Sequence, residues 1–208
     1  MPRPLFIAFE GIDGSGKSTQ VALLAEHLQA AGHRVYRTAE PTTRPIGKMI
    51  REIFAGKQEA DHKVIAALFA ADRLDHLLNS EDGILKKMKE GFTVLTDRYF
   101  LSSYAYHSVH MPMDWVIEAN RMAKDILKPD VHIYIDAEPE VCMERIRKNR
   151  TSTELYETLG NLKQVKKKYQ EAIRASNDTE QIAIVPSRET PQETAVEVQA
   201  ALTARRLL

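Results

Sequence analysis

The segment FEGIDGSGKSTQ, positions 9 to 20, concentrates residue types that can hold phosphate. Gly11 and Gly16 flank four residues, Gly14 lies between them, and Lys17, Ser18 and Thr19 follow. This is the Walker A spacing, and its context fits: an apolar run, Leu5 to Phe9, comes before it and a helical pattern after it. Glycines let successive backbone N–H groups turn inward around phosphate oxygens, and the following helix offers its positive N-terminus to the same anion. Lys17 can bridge the β and γ phosphates and Ser18 can give its hydroxyl to Mg²⁺. Gly11, Ile12, Asp13, Gly14, Ser15, Gly16, Lys17, Ser18 and Thr19 are therefore the candidate ATP loop. The bland alternative is a glycine-rich strand-to-helix turn, and the flanking context weighs against it. Asp13 is the anomaly, because a carboxylate at the centre of such a loop repels phosphate.

Other stretches supply candidates for an acceptor side. Phe69 and Arg73 stand four apart in a helical pattern and so share a face, where a flat ring beside a guanidinium suits a base stacked near a polar edge. Phe69 by itself reads more readily as a core aromatic. Asp97-Arg98 follows the apolar TVLT at 93 to 96, so Arg98 can reach the same cleft. Arg145, Arg147 and Arg150 cluster before a polar stretch at 150 to 160. A mobile arginine there could stabilise charge on a transferring phosphoryl group. Singly, each reads more readily as a solvated cation at a helix C-terminus. A switch GTPase would need a guanine-reading Asn-Lys-x-Asp after a late strand, and Val185 to Arg188 offers none. A remodelling ATPase would have a strand ending Asp-Glu and a larger chain. A small kinase fits better.

These residues need elements to position them. The run 5 to 9 suits a strand buried on both faces. RVYRTAE (34 to 40), TVLT (93 to 96), VHIYID (131 to 136) and IAIV (182 to 185) read as four more strands. Helices are expected after the loop up to Gly32, and at 46–55, 61–79, 100–108, 113–125, 139–149, 161–175 and from Pro191. In 61–79 an apolar stripe of Leu68, Ala71, Leu74 and Leu78 neighbours the one carrying Phe69 and Arg73. Strands alternating with helices predict an α/β fold with a five-stranded parallel sheet and helices on both faces. Ligands of such sheets bind beyond the carboxyl ends of the strands, which places the glycine loop, Glu40, Asp97 and Asp136 at one edge.

At 208 residues and 43% hydrophobic the chain suits one domain, 1–208, with a short lid insert at about 145–160. Lys plus Arg (29) equal Asp plus Glu (29), so no global field holds a polyanion, and nucleic acid is not an expected partner. Cys142 alone excludes an internal disulfide framework and a cysteine-rich zinc site. No apolar run approaches the roughly 20 residues of a membrane helix, so no membrane association is expected and a cytoplasmic setting fits.

The order FEGIDGSGKSTQ, AEPTTRPIGKMIRE, LFAADRLDH, TDRYFLSSYAYH and PDVHIYIDAEPEVCMERI resembles the thymidylate kinase family, P-loop nucleoside monophosphate kinases that convert dTMP to dTDP with ATP. The resemblance implies the P-loop kinase fold, a homodimer and Mg²⁺ as cofactor. It implies that Phe69 stacks on thymine, that Arg73 serves the base edge or the monophosphate, and that Arg98 holds the acceptor phosphate. Ser102 or Ser103 would read the base, Tyr106 would crowd a ribose 2′-hydroxyl, and Asp13 would accept from the sugar 3′-hydroxyl. Glu40, with Arg44, would wall the dTMP side, and Arg188 would pack the adenine. Asp97 would hold Mg²⁺ through water or orient the acceptor, beside Ser18. An obligatory base is not required, since a phosphate monoester is already anionic near its second pKa of about 6. Members carry a catalytic arginine either in the loop or in the lid. Gly14 and Ser15 here direct attention to Arg145, Arg147 and Arg150, the last being nearest the irregular stretch. A kinase for another nucleoside monophosphate or a deoxynucleoside is the alternative. A non-catalytic nucleotide-binding protein would not need Lys17, Ser18, Asp97 and Arg98 together.

Overall fold

In the computed structural model, which describes residues 3–149 and 155–208, five parallel strands lie in the order β2-β3-β1-β4-β5. They are β1 (Phe6–Glu10), β2 (Val35–Ala39), β3 (Thr93–Asp97), β4 (Val131–Asp136) and β5 (Ile182–Pro186). β1 is buried along its whole length, as a central strand covered on both faces must be. Side chains alternate across the sheet. Phe6 and Ala8 join the core with Tyr99, Phe100 and Tyr169, whereas Ile7 and Phe9 join Val21, Leu24 and Leu28 on the opposite face. Register aligns the strand ends, with Phe9 beside Asp97 and Glu10 beside Tyr134, so the loops that follow share one edge.

The helices are α1 (Lys17–Ala30), α2 (Pro45–Phe54), α3 (His62–Leu78), α4 (Ile84–Lys89), α5 (Phe100–His107), α6 (Met113–Ile126), α7 (Pro139–Asn149), α8 (Leu159–Ser176) and α9 (Pro191–Thr203). Several starts follow local chemistry. Proline opens α2, α7 and α9 at a position whose N–H needs no partner. Thr190 and Glu193 form a reciprocal capping box at α9. α8 begins at Leu159 behind the Thr158 cap, two residues earlier than the sequence pattern suggests.

Two expectations need correction. α4 has no counterpart in the sequence reading, because ILKKMK is short, rich in lysine, and buries only Ile84. In α3 the stripe of Leu68, Ala71, Leu74 and Leu78 is not the buried face. That face carries Ile65, Ala66, Phe69, Asp72, Arg73, His76 and Leu77, while Leu78 is 56% exposed. The inversion has a physical cause: Asp72, Arg73 and His76 are buried because they pair with Thr42 and Glu40 at the end of β2. Paired polar groups can occupy a core face that hydrophobicity alone would assign to leucine.

α5 carries a buried histidine. His107 packs 5.1 Å from the Phe69 ring, and its Nδ1 has no partner among the described residues. Burial, with Arg73 and His110 nearby, lowers its pKa from the ordinary value near 6.5 to about 3. The folded state therefore keeps His107 neutral where the unfolded chain protonates it. Its stabilising share is complete above the unfolded pKa and is lost as pH falls toward the folded one. Urea titrations should show wild-type stability falling by about 1.5 kcal/mol more between pH 6.5 and 5 than that of His107→Gln, whose side chain does not titrate. Parallel pH profiles for the two proteins would refute the assignment.

Candidate active site

A cleft of about 800 Å³ opens at the carboxyl edge of the sheet and is shared by the glycine loop, α3, α5 and the loop before α9. At its floor Lys17, the first residue of α1, is 5% exposed and donates to the Ile12 carbonyl at 3.0 Å. Burial and the neighbouring Arg98 lower its pKa, with Asp97 and Asp13 acting in the opposite sense. The loop cannot carry a larger residue at Gly14. Its φ is 78°, and a Cβ there would stand 2.5 Å from the Cys142 carbonyl of α7. Gly14, Ser15, Gly16, Ser18 and Thr19 line the cleft; Ile12 is buried behind it, and Gly11 accepts from Tyr169 at 3.3 Å.

Asp13 faces the acceptor side. Its carboxylate accepts from the Arg98 guanidinium and from the Tyr106 hydroxyl, the latter at 2.8 Å, while the Asp13 N–H donates to the same phenolic oxygen at 2.9 Å. Burial would lower the Arg98 pKa, but Asp13 and Tyr106 outweigh it and hold the guanidinium well above its ordinary value. Arg98 has φ 78°, a left-handed conformation rare outside glycine. It sits between β3 and α5, where this turn directs its side chain along the cleft.

Arg73 lies deeper. It is 1% exposed, donates to Glu40 through Nε at 2.9 Å and Nη2 at 2.5 Å, and gives Nη1 to Ser103 at 2.9 Å and to Asn120 of α6. Burial would push the Glu40 carboxyl up, but Arg73 and His76 hold it below its usual range. Phe69, Ser103 and His107 flank this guanidinium along the cleft. They form a pocket with one flat wall and a polar edge.

Ser18 and Asp97 meet at the donor side, where the Ser18 hydroxyl donates to Asp97 Oδ2 while the buried Oδ1 has no partner among the described residues. Among those residues no three His, Cys, Asp or Glu converge to hold an ion by themselves. A hydroxyl beside a carboxylate with a spare oxygen fits Mg²⁺, which takes one or two protein oxygens and completes its shell with phosphate and water.

Other candidates are placed differently from expectation. Arg44 does not line the cleft; Asp75 at 2.7 Å and Asp82 at 3.1 Å hold it outside. Arg51 lines the wall instead, donating to the Pro41 and Thr42 carbonyls. Ser102 lines the cleft, but its hydroxyl is engaged by Glu10 and Arg98. Arg145 reaches Ser187 at 3.1 Å and the Gly14 and Ser15 carbonyls at 3.5 Å, bringing α7 onto the donor loop. Arg188 is on the same side, paired with Glu197 at 2.5 Å. Arg147 is exposed and outside the lining, and Arg150 lies outside the described residues. The sequence reading missed Arg51, Phe54, His107, Tyr156 and Glu157, which also line the cleft. Arg51 stands within the quoted AEPTTRPIGKMIRE segment and His107 ends TDRYFLSSYAYH, so both had a signal.

A family model described as thymidylate kinase matches residues 9–197. A protein of Thermococcus kodakarensis described as "Probable thymidylate kinase" is 38% identical over 175 residues, 79% of this chain and 82% of that protein. One of Methanocaldococcus jannaschii with the same description is 38% identical over 174 residues, covering 83% and 84%. Another, of Pyrobaculum aerophilum, is 37% identical over 194 residues, 93% of each chain. The family match takes in the glycine loop, the Phe69–Arg73 helix and the Arg98 turn together, and the chain belongs to the thymidylate kinase family of P-loop kinases.

Proposed function

We propose that the protein transfers the γ-phosphoryl group of ATP to dTMP, giving dTDP and ADP. The observation that carries this reading is the single cleft in which Asp13, in the phosphate loop, is bonded to Arg98 and Tyr106 of the acceptor side. Donor phosphates bind the backbone amides of residues 13 to 18 and Lys17. Thymine stacks on Phe69 with its polar edge toward Arg73 and Ser103. The acceptor phosphate takes the Arg98 guanidinium, and Asp13, relieved of part of that pairing, accepts from the sugar 3′-hydroxyl. Tyr106 fills the space a 2′-hydroxyl would need.

Ser18 and Asp97 would hold Mg²⁺, which when bound would neutralise negative charge on the phosphates. The chain's own contribution is positioning and electrostatics. An acceptor phosphate is already ionised near its second pKa of about 6, so no side chain needs to remove a proton from it. Arg98 and Lys17 converge on the region between donor and acceptor, and Arg145 of α7 adds a cation beside the loop. Arg145 is already seated on the loop carbonyls.

We also assign a homodimer to this protein. Met49 of α2, Val64 and Leu78 of α3, and Trp115 and Met122 of α6 are between 45% and 64% exposed, and α3 packs against both α2 and α6. An apolar surface on three adjoining helices suits a second copy of the chain. Sedimentation equilibrium should return twice the 23.6 kDa chain mass, and a single-chain mass would exclude the dimer.

Arg98→Ala should lower kcat with dTMP by about 100-fold while Mg·ATP binding, read by calorimetry, changes little. Near-normal turnover would remove Arg98 from the acceptor site. Acceptor identity is tested by ADP release with dTMP, dUMP, UMP, CMP and thymidine. The thymine reading expects the highest kcat/KM for dTMP, and a flat profile would sink it.

A further inference from the structure

Glu10 is the last residue of β1 and is fully buried, although its side chain stands on the sheet face otherwise occupied by Phe6 and Ala8. A buried carboxylate costs several kcal/mol unless its oxygens are satisfied. Those of Glu10 are. Oε1 accepts from the Tyr99 amide at 3.1 Å. Oε2 accepts from the Ser102 hydroxyl and from the Tyr169 hydroxyl at 3.2 Å. Ser102 and Tyr169 also bond each other at 2.7 Å, and Arg98 donates to Ser102 Oγ at 3.4 Å.

The same strand holds the turn before α5. The Arg98 amide donates to the Phe9 carbonyl at 2.8 Å and the next amide, of Tyr99, donates to Glu10. Two successive bonds from β1 thus bracket the residue whose φ is 78°. A non-glycine residue in that region persists only where its surroundings over-determine it. Tyr169 belongs to α8, the helix that follows the 150–154 segment, so one carboxylate joins the strand before the phosphate loop, the turn carrying Arg98 and the helix beyond the expected lid.

We propose that Glu10 is a positioning residue for phosphoryl transfer: through Tyr99 and Ser102 it fixes the left-handed Arg98 turn, and through Tyr169 it ties α8 to that turn. Glu10 touches no substrate. It acts by setting where the Arg98 guanidinium meets the acceptor phosphate, so the inference rests on the acceptor role given to Arg98 above. Apolar residues of similar volume would fill the space but leave the Tyr99 amide without its acceptor, and Ser102 and Tyr169 with only each other and the Gly11 carbonyl.

The test is a double-mutant cycle measured with Mg·ATP and dTMP. Glu10→Gln keeps the Oε1 acceptor for Tyr99 but presents an amide donor to two hydroxyls, and Ser102→Ala removes the link to Arg98. Each should lower kcat/KM for dTMP by about tenfold, with KM for ATP within about twofold of wild type. The double variant should be no worse than the poorer single, because both act through one contact. Losses that multiply to about 100-fold, or an equal rise in KM for ATP, would make Glu10 merely structural and overturn the inference. Should Glu10→Gln fail to fold, the Ser102→Ala and Tyr169→Phe cycle asks the same question, since both hydroxyls address the same oxygen; additive losses there refute it. Failure of the parent reading looks different: Arg98→Ala itself would retain activity.

Discussion

The acceptor side of this protein is organised around one ion pair withdrawn from water. The Glu40 and Arg73 side chains are each 1% exposed and lie 2.5 Å apart. Burying such a pair contributes little net stability, but removing one partner costs about 3–5 kcal/mol because the other is left charged and unpaired. Its worth is therefore geometric. Glu40 follows the last residue of β2, Arg73 stands mid-helix on α3, and the remaining donors of Arg73 reach Ser103 of α5 and Asn120 of α6. Four elements distant in the chain converge on one guanidinium. Its position against Phe69 is thereby set before any ligand arrives, which is the preorganisation a base-binding pocket needs.

A second buried carboxylate, Glu10, does for the phosphate side what Glu40 does for the base side. Glu10 ends β1 and Glu40 follows β2, and each collects helices that cover the sheet. Between them lie Asp13, Arg98 and Tyr106. This explains how a phosphate loop accommodates an aspartate. The Asp13 carboxylate is turned toward Arg98 and Tyr106, and in the proposed reaction the donor phosphates would be served by backbone amides and Lys17.

Much of this was legible in the sequence because it is local. The loop announces itself by spacing, and the strands by short apolar runs between helical patterns. Phe69 and Arg73 share a face by helical geometry alone. What escaped depends on partners far along the chain. Asp13 and Arg98 are 85 residues apart. Arg44 and Arg51 stand in one motif, but Asp75 and Asp82 hold Arg44 outward while the Pro41 and Thr42 carbonyls hold Arg51 on the cleft wall. The leucine stripe of α3 misled because the buried face was reserved for Asp72, Arg73 and His76. His107 ends the quoted TDRYFLSSYAYH segment, but only α3, which brings Phe69 against it, makes it part of the cleft.

The electrostatics of the cleft bear on how it works. Lys17 is kept below its ordinary pKa by burial and by Arg98, so two cations crowd one another there. Asp13 and Asp97 relieve part of that crowding. In the proposed reaction, phosphate oxygens between Lys17 and Arg98 would turn that crowding into a shared clamp, and the gain would grow as negative charge spreads over the transferring group. A site built this way stabilises charge without reorganising at the moment of transfer. The turn at Arg98, held by the Phe9 carbonyl and by Glu10, and the pairing of its guanidinium with Asp13 are what keep that cation beside Lys17.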